Sequence, residues 1–190
     1  MLENQVLDPV LFHTLRFALA ILWGVAVFGK VRQFARFRRA VRGYRLLPEA
    51  AVPLIALSIP GVEALLAATL VWSATARPAL LGSAILISCY TAALAVAAIR
   101  GTLSDCGCLQ GGPPGRVVPW LILRNLLLIG VACVALLPQH ARAVGVPEAC
   151  LIVAGVIGLC LGYFAMSRLL AATPSEFETF VDEPQPREWG

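Results

Sequence analysis

PALLGSAILISCYTAALAVAAI, residues Pro78 to Ile99, runs for 22 residues without a charged side chain, and Arg77 and Arg100 stand immediately outside it. At 1.5 Å per residue, about 20 apolar residues in a helix cover the ~30 Å hydrocarbon core of a bilayer. A barrel strand would instead alternate in polarity over about ten residues, and this stretch does not alternate. Backbone groups in lipid find no water, so a continuous apolar run of this length is read as a membrane-crossing helix that satisfies them internally.

Working outward, four further runs have the same character, at about residues 10–28, 50–72, 117–137 and 147–166. The chain is 59% hydrophobic and 14% charged, with a mean hydropathy of +0.81. A soluble domain carries roughly 25% charged residues, so a water-soluble globular fold is excluded. The expected fold is an all-α integral membrane protein: a helical bundle of four core transmembrane helices plus a fifth, with an interfacial basic helix. Residues 1–170 form the bundle. Residues 171–190, acidic and holding Pro174, Pro184 and Pro186, are expected to be a mobile tail. Glu3 and Asp8 stand where a secretory leader would be basic, so the first run is read as a retained span. Pro53, Pro60, Gly61 and Gly82, in or near spans, are of a kind common in membrane helices.

KVRQFARFRRAVRGYR, Lys30 to Arg45, holds seven of the fifteen basic residues and no acid. On a helical wheel Phe34, Phe37, Val41 and Tyr44 share one side and Arg32, Arg36 and Arg39 the other, while Arg38, Arg42 and Arg45 break the pattern. This predicts a helix lying on the membrane surface against anionic lipid. Nucleic acid is not an expected partner, because the segment is tethered between two spans and no binding fold accompanies it.

With five spans, the loop after the first, the loop after the third and the C-terminal tail lie on one side. That side carries Lys30, Arg32, Arg36, Arg38, Arg39, Arg42, Arg45, Arg100, Arg116, Arg168 and Arg187, against Arg77 and Arg142 on the other. Positive residues favour the cytoplasm, which places the N-terminus outside.

The loop between the third and fourth spans reads Ser104-Asp105-Cys106-Gly107-Cys108-Leu109-Gln110-Gly111-Gly112-Pro113-Pro114-Gly115. Two thiols one residue apart can approach the ~4.4 to 6.8 Å Cα separation of a disulfide if the chain bends, and Gly107 permits the bend. Such a small ring closes hardly any loop, so it adds little as a staple. Its strain suits it to exchange. Asp105 would raise a neighbouring thiol's pKa and is not an activator, though it could cap the following turn. Two alternatives remain open: two soft ligands for copper or zinc, or inert loop cysteines. His13 and His140, the only histidines, fall towards the opposite face. Cys89, Cys133, Cys150 and Cys160 lie inside spans and are expected to be small buried apolar side chains.

Arg16, Glu63 and Arg124 are ionisable residues within spans. A charge near the bilayer centre costs at least ~2.5 kcal/mol and faces the bundle interior. Counting 1.5 Å per residue from the ends of their spans puts Arg16 and Glu63 at similar depth, so a structural ion pair between them is expected. Arg124 sits lower. The functional alternative is a polar pocket for a quinone, or a proton path beneath the thiol loop. Gly158 and Gly162 form a GxxxG in the fifth span and hint at close helix packing.

Taken in order, Arg16; Gly29-Lys30 followed by Phe34, Phe37, Val41 and Tyr44-Arg45-Leu46-Leu47-Pro48; Pro60 and Glu63; Cys106-Gly107-Cys108; and Arg124-Asn125-Leu126 resemble the MauE family within the broader DoxX-like membrane proteins. The resemblance covers roughly residues 10 to 137. Family members usually carry an aromatic after the second cysteine, where Leu109 stands here. The resemblance implies a role in maturing the disulfide-rich light subunit of methylamine dehydrogenase together with a thioredoxin-like partner. On this reading the chain is a thiol-disulfide oxidoreductase of the bacterial inner membrane. Cys106 and Cys108 are its redox pair, Arg16, Glu63, Arg124 and Asn125 are supporting intramembrane polar residues, and quinone is a candidate cofactor. No metal is assigned.

Overall fold

The computed structural model describes residues 7–100, 114–138 and 144–172, with side chains over 7–100, 119–138 and 144–167. Among these residues six α-helices follow one another: α1 (Pro9–Arg32), α2 (Phe34–Gly43), α3 (Val52–Val71), α4 (Ala76–Ile99), α5 (Pro114–Ala135) and α6 (Val146–Ala172). Single 3-10 turns at Glu49–Ala51 and Ser73–Thr75 lead into α3 and α4. Among the described residues, four helices are long and apolar enough to cross a membrane, and α5 is apolar from Pro119 to Ala135. The expected multi-pass helical membrane protein is the fold observed.

Local chemistry sets the ends. Asp8 caps α1, its Oδ1 accepting the Val10 N–H at 2.7 Å, and Pro9 occupies the first turn, where a missing N–H costs nothing. Thr14, Thr69, Ser88, Thr91 and Ser167 each donate their hydroxyl to the carbonyl four residues back. Polar side chains are thereby satisfied within their own helix and need no functional explanation.

Helix α1 lies at the centre, packed against α3 and α6 and touching α5, while α4 joins α3 and α5. The core is built from Phe12, Leu15, Leu19 and Trp23 of α1, Leu66 and Leu70 of α3, Leu80 and Ile87 of α4, and Ala132 and Ala135 of α5. Outside it, Leu54, Leu57, Leu65, Ile85, Leu151 and Leu161 are exposed, as residues that meet lipid should be. At one end of the bundle the Leu7 N–H donates to the Pro138 carbonyl at 2.7 Å, joining the start of α1 to the end of α5. At the other end, Tyr44, just past α2, packs with Leu94, Ala97 and Ala98 of α4 and Leu121 and Ile122 of α5. The basic helix therefore shares an end with the helix termini that flank residues 101–113.

Helix α2 turns Phe34, Phe37 and Val41 inward, as the wheel predicts, but they meet Val52 and Ala56 of α3 and Leu47 rather than lipid. Ala40 is buried too, at 3% exposure, which rotates the inner face. Arg38, Arg39 and Arg42 consequently lie exposed on the opposite side, and Arg38 and Arg42 fit the amphipathic pattern instead of breaking it.

Two packing expectations are corrected. Cys89, Cys133 and Cys150 are exposed on the outside of the bundle, and only Cys160 is partly covered. Residence in a membrane is not burial in protein, because an apolar thiol is as well placed against lipid as against another helix. The GxxxG glycines also face open space, with nothing within 4 Å of a Cβ built at Gly158 or Gly162. Close approach occurs one turn earlier, where a Cβ on Gly155 would stand 2.8 Å from Thr14 Cγ2 of α1. Gly155→Val should therefore push α6 off α1 and cost about 1–3 kcal/mol, whereas Gly158→Val should be close to neutral. Thermal unfolding of the two variants in detergent checks this.

Candidate functional site: a buried carboxylate joining three helices

Glu63 stands three residues after Pro60 in α3 and is fully buried, at 0% exposure. Its Oε1 accepts from Lys30 Nζ, in the last turn of α1, and from Tyr90 Oη of α4 at 2.7 Å. The Lys30 ammonium also lies 5.5 Å from the ring centroids of Phe37 and Tyr90, within cation–π range. Trp23 packs T-shaped against Tyr90, ring centroids 6.3 Å apart, and donates Nε1–H to Ser83 Oγ at 3.0 Å. One carboxylate thus ties α1, α3 and α4 together, with α2 reached through Phe37.

Glu63 Oε2 is buried without a hydrogen-bond partner. A buried acceptor left unmade costs about 1–3 kcal/mol, and such groups in a native protein call for an explanation. Among the described residues of the cluster, Oε2 is the one buried side-chain oxygen that no protein donor meets.

The expected Arg16–Glu63 pair does not form. Arg16, 2% exposed, donates Nη1–H to Ser73 Oγ at 3.0 Å and Nη2–H to the Val71 carbonyl at 3.5 Å. Its guanidinium carbon lies 4.5 Å from the Phe17 ring centroid and 5.5 Å from that of Phe12. Arg16 is therefore level with the end of α3, eight residues beyond Glu63, or about 12 Å along the helix. The depth count assumes helices with level ends, but α1 starts well beyond the end of α3. The partner of Glu63 comes from a residue grouped above with the surface arginines: α1 runs on to Arg32, which carries Lys30 into the bundle.

Arg124 and Asn125 form a separate contact on α5, Arg124 Nη2–H donating to Asn125 Oδ1 at 3.3 Å, with the guanidinium 5.9 Å from the Tyr163 ring of α6. Asn125 is buried, at 7% exposure. The four intramembrane polar residues thus fall in three places. Cys106, Cys108 and His140 lie outside the described residues. Sequence reasoning missed Tyr90, Trp23 and Ser83, and it gave Lys30 no interior role. A signal for Lys30 was present: it is the only lysine in the chain, the other fourteen basic residues being arginine.

The family profile described as methylamine utilisation protein MauE matches residues 8–138, spanning α1 to α5. The chain belongs to the MauE family. It is 37% identical over 175 residues to the methylamine utilization protein MauE of Paracoccus denitrificans, covering 90% of each chain. It is 38% identical to that of Paracoccus versutus, covering 87% of this chain and 91% of the relative. The MauE of Methylorubrum extorquens is 32% identical over 75% of this chain and 78% of its own. No solved structure matches. The MauE match contains the whole Lys30–Glu63–Tyr90 cluster and the Cys106-Gly107-Cys108 segment, and ends before α6.

Proposed function

We propose that this MauE-family chain serves methylamine utilisation as a membrane thiol/disulfide redox protein that supports maturation of cysteine-containing partner proteins, with Cys106 and Cys108 as its redox pair. The observation that carries this reading is the Cys-Gly-Cys sequence in the connection between α4 and α5, whose helix ends lie at the basic end of the bundle. In the reaction one thiolate attacks a partner disulfide to give a mixed disulfide, and the second displaces the partner. Two thiols become one disulfide, and the partner takes two electrons and two protons. Run in reverse, the Cys106–Cys108 disulfide oxidises a partner dithiol. A thioredoxin-like protein is the partner class that exchanges such equivalents, and a lipid quinone, reduced to quinol, is the acceptor class for net oxidation.

The protein is placed in the bacterial inner membrane, with its basic end and residues 101–113 in the cytoplasm on the charge count. Single cysteines at Arg36→Cys and at Cys106, each in a background without other thiols, should label together with an impermeant maleimide, and only after the membrane is opened. Labelling from opposite sides would overturn the arrangement. Thiol trapping with mass spectrometry across a series of redox potentials tests the chemistry: Cys106 and Cys108 should interconvert between dithiol and disulfide while the four span cysteines stay reduced. If both remain reduced across the physiological range, the redox reading fails. Metal bound by the chain and lost when both become Ser would favour the metal-handling alternative.

A further inference from the structure

The apolar side of α2 is already used, since Phe34, Phe37 and Val41 pack on α3. The helix is therefore fixed across the end of the bundle. Its outer side presents Arg38, Arg39 and Arg42, all exposed and within a 100° arc of the helix at ~100° per residue. Arg45 follows directly, exposed, at a positive φ of 50° that turns the chain. Between residues 30 and 62 the only acid is Glu49, which bonds Arg42 at 3.0 Å with both side chains largely exposed. Nothing else among the described residues at this end neutralises the patch.

Depth identifies what faces it. Helix α2 sits where α1 ends and α3 begins, and Phe28, Val31, Leu54 and Leu57 are exposed beside it at 61 to 70%. Those side chains belong in acyl chains, so the arginines one step further out are at the level of lipid phosphates. The side-chain type agrees: the guanidinium fork matches a phosphate oxygen pair in a way an ammonium does not, and every cation on the outer face is arginine while the single lysine is turned inward.

We propose that the outer face of α2, centred on Arg38, Arg39 and Arg42, is a binding site for the phosphodiester headgroups of anionic phospholipid. The site anchors the basic end of the bundle and is independent of the thiol chemistry. Each arginine near an anionic surface adds a binding increment that, over three residues and after screening, amounts to at least about tenfold.

The test measures lipid binding to the full-length protein by native mass spectrometry, with phosphatidylglycerol and phosphatidylcholine as probes. The protein should prefer phosphatidylglycerol by at least about tenfold, and the preference should shrink with added salt. Arg38→Gln, Arg39→Gln and Arg42→Gln together should bring it below about threefold, and Arg77→Gln at the opposite end should leave it unchanged. The corresponding triple Lys variant, which keeps charge and fold, should retain part of the preference. An undiminished preference in the triple Gln variant overturns the site. If the triple Gln variant does not fold, an undiminished preference in the triple Lys variant and in Arg39→Gln alone overturns it equally. A preference that emerges only when residues 173–190 are removed would assign the face to the acidic tail instead, and would also overturn the proposal.

Discussion

Lys30→Met is expected to cost about 3–5 kcal/mol of stability, more than Glu63→Met. The asymmetry comes from where each side chain can go once its partner is lost. Glu63 is at 0% exposure in mid-helix, and without Lys30 its carboxylate keeps a single donor, Tyr90 Oη. The Lys30 side chain is 22% exposed and two residues from the end of α1. Deprived of Glu63, it can swing its ammonium out to the headgroups. Replacing both by Met removes the pair without stranding a charge and should recover most of the loss, since buried ion pairs are commonly no better than apolar residues of similar volume. Tyr90→Phe removes one hydrogen bond to a charged group and should cost about 1.5–3 kcal/mol. Thermal unfolding in detergent of the two single variants and the double completes the cycle. Additive losses would show that the two residues do not interact, and equal single losses would contradict the escape route assigned to Lys30.

The spans were legible because length and continuous apolarity are what lipid demands of a backbone. The five runs overlap α1, α3, α4, α5 and α6, although α1 continues to Arg32 and α6 to Ala172. The apolar side of α2 was legible for the same kind of reason, since the period of Phe34, Phe37 and Val41 is that of a helix. Pairings between helices were not. Depth counted along one helix says nothing about how far its neighbour is shifted, and the overhang of α1 moved Arg16 up to Ser73 and brought Lys30 to Glu63. Small residues in lipid likewise name no partner. Gly158 and Gly162 carry the motif, yet Gly155 makes the contact, because which face of α6 meets α1 depends on the rest of the bundle. The open acceptor on Glu63 arises only when three helices close around it, and no local pattern announces it.

The proposed chemistry makes the largest prediction. Cys108→Ser should leave Cys106 able to attack but with no thiol to displace the partner, so a mixed disulfide should accumulate. Either Cys→Ser variant should abolish support for partner maturation, read as loss of growth on methylamine in a strain lacking the native gene. The span thiols set the comparison. Cys89, Cys133 and Cys150 are exposed on the bundle surface, yet they sit on apolar helices whose outer faces meet lipid, away from a water-soluble partner's disulfide. Replacing all four span cysteines, Cys160 included, should therefore leave both growth and trapping intact. The Glu63 variants separate structure from chemistry: the Lys30→Met, Glu63→Met double, if folded, should still trap a partner on Cys106 when Cys108→Ser is added. Normal growth of the Cys106→Ser, Cys108→Ser double variant would end the redox reading and leave the chain as a structural assembly factor. Loss of growth without any trapped partner, together with loss of bound metal, would transfer the two thiols to a metal.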